Sequence, residues 1–395
     1  MAFSMFIILF LLLPKAGILD FAVIPIALYA FFLYHKNKRL IITKELEIIL
    51  FIWLILFLVA LLSFIYHGSI YNAIIFKPIR QIILIIIFSI IFIHKEYTIQ
   101  DLLKIVLIAS TINSGVVLLQ YMAHLTLYID DLLIVPGFNE DITVIFRKPG
   151  LYTGYPPAGM MAVVGFVISF YFIKKKFALI YIVTLILSIV ALMLTSRMAL
   201  LIALLYSLFL IPYVAFSGKK QLLALVITIV SMIILIGVLI SNEYVHRDTV
   251  KVMFELFINF ANGEGIKSNS GTALVDSYIG NYPQYITTVL FGNGLTIKSD
   301  IGLTIDAGPQ ILLFGGGIIT LMLYYYLFIL YFKLSKIKEK DLYITYGLLF
   351  LLIFISNLKG AFLFGRPIGD AVLVLVIGSY FYYYKRKKGL IYAKQ

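Results

Sequence analysis

The chain has 395 residues, 62% of them hydrophobic and 13% charged, with a formal net charge of +13 and no cysteine. Its mean hydropathy of +1.05 lies far above the soluble range and excludes an ordinary water-soluble enzyme, while the missing thiols exclude disulfides and thiolate metal sites. The positive balance is a topology signal and not a nucleic-acid signal, because most lysines flank apolar runs on one face.

Apolar runs of about 18–23 residues, enough to cross a hydrocarbon core of about 30 Å, recur from end to end. A β-barrel needs short alternating segments instead. The expected fold class is therefore all-α integral membrane, a polytopic bundle of about 12 transmembrane helices forming one domain over 1–395. The spans are predicted at 2–14, 19–34, 46–66, 78–94, 102–124, 156–173, 177–195, 198–216, 221–241, 308–332, 342–359 and 367–384. The first apolar run meets Pro14-Lys15 without a small-residue cleavage site, so no cleavable leader is expected.

Basic clusters follow alternate spans: Lys36-Asn37-Lys38-Arg39, Lys174-Lys175-Lys176, Lys219-Lys220, the 333–340 segment and Lys385-Arg386-Lys387-Lys388. With both termini cytoplasmic, 20 of the 32 lysines and arginines fall inside, as the positive-inside rule requires. Five of the seven arginines then face outward: Arg80, Arg147, Arg197, Arg247 and Arg366. The planar guanidinium fork suits phosphate and carboxylate, so an outward anion site is expected.

Two outward connections are long enough to carry it, 124–157 and 242–308. The first contains Arg147-Lys148-Pro149-Gly150 and then Tyr155-Pro156-Pro157 at the start of the next span. Arg197 sits in the tight turn Leu194-Thr195-Ser196-Arg197, between two spans without other charge, where a cation is costly unless partnered. The second loop opens with His246-Arg247 and carries two apolar helical stretches, 250–261 and 272–281, expected to lie along the outer interface. It continues to Phe291-Gly292-Asn293-Gly294, Asp300 and Asp306, ahead of Gly315-Gly316-Gly317, which reads as close helix packing. Glu264, Asp276, Asp300 and Asp306 are candidates for a general base, with Asp300 and Asp306 favoured by their place before the glycine-rich span. His246 is a further acid–base candidate, and Tyr155 a candidate for stacking on a sugar. There is no Walker motif, dinucleotide fingerprint or HExxH, so cofactor-free, metal-independent chemistry is expected.

Leu194-Thr195-Ser196-Arg197-Met198-Ala199-Leu200 resembles the Ser-Arg turn of bacterial O-antigen and capsule polymerases (the Wzy type), shared with the O-antigen ligases. The 147–159 stretch is similar to those families' arginine-then-proline approach to a helix. Phe291-Gly292-Asn293-Gly294, followed by Ser299-Asp300 and a glycine-rich span, looks like their polymerase branch. The ligases carry a histidine before that late helix, where this chain has Lys298-Ser299-Asp300. The resemblance implies a glycosyltransferase of the bacterial cytoplasmic membrane that joins undecaprenyl-diphosphate-linked repeat units into surface polysaccharide at the outer face. It implies a lipid-linked glycan as donor and as acceptor, and leaves room for a chain-length regulator as partner. Carried over, Arg147, Arg197 and Arg247 would hold the donor pyrophosphate, with Arg80, Arg366, His246 and Tyr155 in secondary roles and Asp300 or Asp306 as base. Rival readings are a ligase-like glycan transferase, a flippase for lipid-linked oligosaccharide, and an envelope scaffold.

Overall fold

A computed structural model of the chain describes residues 2–13, 15–16, 19–67, 73–127, 129, 132, 148–152, 154–241, 283, 285–292, 308–359 and 365–389. These residues are almost wholly helical. In chain order the helices are α1 (Ala2–Leu12), α2 (Val23–Asn37), α3 (Lys44–His67), α4 (Ala73–His94), α5 (Ile99–Leu127), α6 (Tyr155–Lys175) and α7 (Leu179–Leu194). They continue with α8 (Arg197–Ala215), α9 (Lys219–Ser241), α10 (Ile286–Phe291), α11 (Gly308–Leu334), α12 (Lys340–Lys359) and α13 (Ile368–Lys387). The strands among the described residues are a two-residue antiparallel pair, β1 (Lys15–Ala16) with β2 (Leu19–Asp20).

A helix overlaps each of the ranges expected from the apolar runs. Seven of them, α3, α4, α5, α6, α8, α11 and α12, are long and apolar enough to cross a membrane, while α1 and α7 are apolar but shorter. The chain is an all-α polytopic membrane protein. Several bounds differ from expectation, the second helix beginning at Val23, after the β1–β2 pair, where the span was expected from 19. The fourth helix begins ahead of Pro78, which lies inside it, and a short helix not anticipated from the sequence, α10, precedes Gly292. The stretches 250–261 and 272–281 lie outside the described residues.

The chain divides into two compact units. The first comprises Met1–Pro25, Leu103–Ile266 and Lys338–Leu352, and the second Ile26–Leu102, Lys267–Ile337 and Ile353–Gln395.

In the first unit, α6 is the central helix, with every residue from Ala158 to Ile173 buried. Prolines at its first turn cost no hydrogen bond, because those N–H groups have no intrahelical partner anyway. Glycines let its neighbours approach. A Cβ on Gly165 would collide with Ser110 Oγ of α5 and lie 2.8 Å from Ser188 Oγ of α7. At one end of this unit, Lys174 Nζ meets Asp341 Oδ1 at 2.7 Å and Lys175 Nζ meets Asp341 Oδ2 at 3.0 Å. Tyr213 donates to the same carboxylate. The lysines closing α6 and the tyrosine near the close of α8 thus gather round the start of α12.

In the second unit, α13 is buried from Ile368 to Phe381 and packs on α4 and α11. Trp53 of α3 donates its indole N–H to Tyr331 Oη of α11 at 3.0 Å and meets Tyr324 edge-on at 5.7 Å. One end of the unit collects Glu45, Lys336 and Tyr380, through Lys336 Nζ–Glu45 Oε1 at 3.0 Å and Tyr380 Oη–Glu45 Oε2 at 3.1 Å. Lys385 donates to the carbonyl of Lys95 at that same end. These contacts make α4, α11 and α13 parallel to one another and α3 antiparallel to them.

Helix α11 is not continuous. Gly316 (φ −151°, ψ 17°) and Gly317 (φ 72°, ψ −174°) leave helical geometry, and the backbone of α10 closes onto the break. A Cβ on Gly292 would lie 2.5 Å from the amide nitrogen of Gly316, and one on Gly317 would collide with the carbonyl of Leu290. The positive φ of Gly317 is one that L side chains rarely adopt, so both space and conformation require glycine there. The close packing expected of the glycine triplet is thus made by backbone against backbone.

Replacing Gly165 by valine should destabilise the first unit by about 1–3 kcal/mol, because side-chain hydroxyls from two helices occupy the space. A lowered unfolding temperature in detergent is the readout, and an unchanged one would mean that α5 and α7 yield without cost.

Candidate functional site

Two motifs singled out in the sequence meet in the first unit. The turn between α7 and α8 is a capped helix start: Ser196 is the N-cap of α8, and its hydroxyl accepts from Ala199 N at 3.4 Å. Thr195 donates to the Ala191 carbonyl at 2.6 Å, fastening the turn to the last turn of α7. Gly159 of α6 lies against it so closely that a Cβ would be 2.7 Å from Ser196 Cβ and 2.8 Å from Thr195 Oγ1. Arg197 is the first residue of α8, half-buried, with its Nε out of contact with solvent.

The residues following Arg147 are pinned beside that turn. Lys148 donates its backbone N–H to the Leu194 carbonyl at 3.1 Å, and its side chain is fully buried. Gly150 takes a left-handed conformation (φ +65°) that fits this tight approach. Its N–H donates to Gln120 Oε1 at 2.9 Å and its carbonyl accepts from Gln120 Nε2 at 3.1 Å. Leu151 N donates to Asn113 Oδ1 at 2.8 Å. Gln120 also donates to the Leu132 carbonyl at 3.1 Å. Two side-chain amides on one face of α5 therefore hold the turn, and the turn holds Lys148 against the end of α7. Tyr155, the first residue of α6, is half-buried nearby in sequence.

In the second unit, Arg80 of α4 and Arg366 ahead of α13 converge on Asp370. Arg80 Nη1 and Nη2 reach Asp370 Oδ1 and Oδ2 at 2.7 Å each, a bidentate fork, and Arg366 Nε reaches Oδ2 at 3.1 Å. Asp370 is completely buried and is the third residue of α13, where the helix dipole favours a carboxylate. The group carries a formal charge of +1. Arg80 and Arg366, expected as secondary pyrophosphate ligands, thus both bind one internal carboxylate.

Of the expected site residues, Arg197 and Tyr155 belong to the first unit and Arg80 and Arg366 to the second. Arg147, Arg247, His246, Asp300 and Asp306 lie outside the described residues, as do most of the 124–157 and 242–308 loops. Sequence reasoning passed over Lys148, Asn113, Gln120 and Asp370. The signal was there for three of them: amides and a carboxylate inside otherwise apolar spans are costly unless they bind something.

Gln120→Leu removes the hydrogen bonds that the side-chain amide makes to the Gly150 N–H and carbonyl and should cost about 1–3 kcal/mol. Asp370→Ala should cost about 3–5 kcal/mol, since it leaves two arginines without their buried counter-charge. Lys336→Ala, which breaks an exposed pair, should stay within about 1 kcal/mol. Thermal unfolding in detergent ranks the three, and a Lys336→Ala effect as large as that of Asp370→Ala would refute the assignment. The chain matches no protein-family model and no curated protein sequence.

Proposed function

We propose that the chain is a polysaccharide polymerase: a metal-independent glycosyltransferase that transfers a glycan from undecaprenyl diphosphate onto the free end of another lipid-linked repeat unit. It spans the bacterial cytoplasmic membrane twelve times, with both termini inside and the site facing outward. The observation that carries this reading is the hydrogen bond from Lys148 N to the Leu194 carbonyl. It sets the Lys148-Pro149-Gly150 segment against the Thr195-Ser196-Arg197 turn, so Lys148 and Arg197, cations from two separate motifs, belong to elements in contact at one end of the first unit. Within each unit, loops expected on the same side of the membrane meet at the same end, which supports the alternation of spans.

The chemistry asks for two things. The acceptor hydroxyl oxygen bonds to the anomeric carbon while the bond from that carbon to the diphosphate oxygen breaks, and the departing diphosphate takes the electron pair. Arg147, Arg197 and Arg247 neutralise that charge in a partly dehydrated setting, where oriented donors act strongly. Asp300 or Asp306 accepts the hydroxyl proton. Tyr155 borders the sugar, and His246 stands beside Arg247 in the chain. A flippase would be expected to place ionisable groups mid-span; here Asp370 lies in the first turn of α13, Arg366 just ahead of it and Arg80 about two turns into α4, toward the helix ends, which favours a transferase.

Arg197→Ala should abolish polymer while the protein remains in the membrane, and Arg197→Lys should recover only a small part, because lysine lacks the planar fork. Cell-surface glycan resolved on a gel reads both. Deleting the gene should leave single exported repeat units; loss of every exported unit would instead identify a flippase, and normal polymer from Arg197→Ala would refute the pyrophosphate role.

A further inference from the structure

In the first unit, a trough of about 290 Å³ lies between α5, from Leu103 onward, and the opening turns of α7. Along α5 it follows Lys104, Ile108 and Ile112, a stripe of about 12 Å at the helical rise. Ile180 and Tyr181 of α7 form the opposite wall. Leu107 and Thr184 are buried at its floor, whereas Ile108, Ile112 and Ile180 are exposed, Ile180 to 61%. The trough therefore opens sideways on an apolar face of the unit. Its two hydroxyls are satisfied within the protein, Thr111 donating to the Leu107 carbonyl at 2.8 Å and Thr184 to the Tyr181 carbonyl at 2.9 Å.

What distinguishes this trough from an ordinary lipid-facing furrow is the charge in its wall and around one end. Lys104 itself lines it and is exposed. Tyr181 stacks on Phe172 of α6 with ring centroids 4.8 Å apart, so the Lys104 end is the end at which Lys174, Lys175 and Lys176 close α6. Gln221 reaches the Lys174 carbonyl at 3.5 Å and brings the start of α9 there, while Asp341 brings the start of α12. With Lys219, Lys220, Lys338 and Lys340, this end of the unit holds eight lysines against Glu339 and Asp341, a formal charge of +6. Those two carboxylates already meet Lys174 and Lys175. Asp101, one turn before Lys104 in α5, accepts the Thr98 N–H at 3.0 Å and the Thr98 hydroxyl at 2.8 Å at the start of the helix. An apolar slot that begins at a lysine within so positive a field fits an amphiphile with an acyl chain and an anionic head. A zwitterionic head would bring its own cation toward the same lysines. The slot's length also suits one leaflet, since half of the hydrocarbon core is about 15 Å.

We propose that this trough is a binding site for one anionic phospholipid, its phosphate at Lys104 and an acyl chain between α5 and α7. The inference is independent of the polymerase reading and uses only the shape and charge of the first unit. By the positive-inside rule the lysine-rich end is the cytoplasmic one, and anionic headgroups of that leaflet draw basic residues beside membrane helices. The chain fills space between two helices that both pack on α6 at Gly165. The lipid is thus a part of the helix packing at this end, retained when the surrounding bilayer is exchanged for detergent.

The test uses the full chain in detergent, equilibrated with equal amounts of phosphatidylglycerol and phosphatidylcholine of matched chains, and native mass spectrometry to count the lipid retained. The wild type should keep one phosphatidylglycerol in preference to phosphatidylcholine by at least about five-fold, the share of a single lysine at a lipid surface. Lys104→Gln should remove that preference. Lys220→Gln, at the same end but outside the trough, should change it by less than about two-fold. An equal loss from Lys220→Gln overturns the proposal, because it marks diffuse attraction to the basic end. Ile108→Trp and Ile180→Trp change exposed positions and obstruct the trough from opposite walls; phosphatidylglycerol retained undiminished by both overturns the placement of the chain. Glycerol phosphate at the concentration of the lipid should leave it bound, and displacement would mean a site for the free anion. Photolabelling needs no variant. In mixed nanodiscs, phosphatidylglycerol with a diazirine in its acyl chain should label residues 104–112 and 180–184. Label confined elsewhere, or equal labelling there by the phosphatidylcholine analogue, overturns the assignment.

Discussion

Hydrocarbon offers no hydrogen bonds, so backbone that leaves a helix within an apolar bundle must find partners in the protein itself. The Lys148–Leu151 turn meets that constraint in a specific way. Gln120 supplies both a donor and an acceptor to Gly150, and Asn113 supplies an acceptor to Leu151. The carbonyl of Leu194, left over at the end of α7, takes the Lys148 N–H. All of these bonds would be lost if the turn moved away. The position of the cationic segment is thus set by the need to satisfy peptide groups, and the charge is carried along by the turn.

The same logic applies to charge in the second unit. A carboxylate at zero exposure is tolerable only with counter-charges in place, and Asp370 has a bidentate arginine from another helix and a second arginine four residues back. This ties the start of α13 to the first turns of α4. At the opposite end of the same helices, Lys385 reaches the Lys95 carbonyl and Tyr97 donates to the Gly378 carbonyl at 2.7 Å. Two polar clasps, one near each end, fix the register of two helices whose apolar faces alone would allow sliding.

The helices were legible because apolar run length is a coarse, robust quantity, and the Ser196–Arg197 turn because a lone cation between apolar spans is conspicuous. The basic clusters were legible as helix-flanking charge, yet nothing in the order of residues foretold that Lys174 and Lys175 would close on Asp341, more than 160 positions away. Partners of that kind depend on tertiary packing. Arg80 and Arg366 illustrate the point from the other side: read singly they are helix-end charges, and only the fold gives them a shared carboxylate. Asn113 and Gln120 sit in a span that otherwise looks like any membrane helix, and their partners, Leu151 and the left-handed Gly150, come from a turn that only the fold brings to them. The break in α11 was hidden for a similar reason, because three glycines in a row are compatible with a tightly packed helix as well as with an interrupted one.

That break has a mechanical consequence. Where Gly292 and Gly317 bring α10 onto α11, peptide groups touch peptide groups with no side chain between them. Side chains act as compliant spacers, since they absorb small displacements by changing rotamer. A joint made of bare backbone has no such give. A displacement of α10 is passed stiffly into α11 at Gly316 and Gly317, where that helix leaves helical geometry. Stiff coupling at a break in a helix is how a lever is built, and here glycines set against the Leu290–Phe291 backbone supply it.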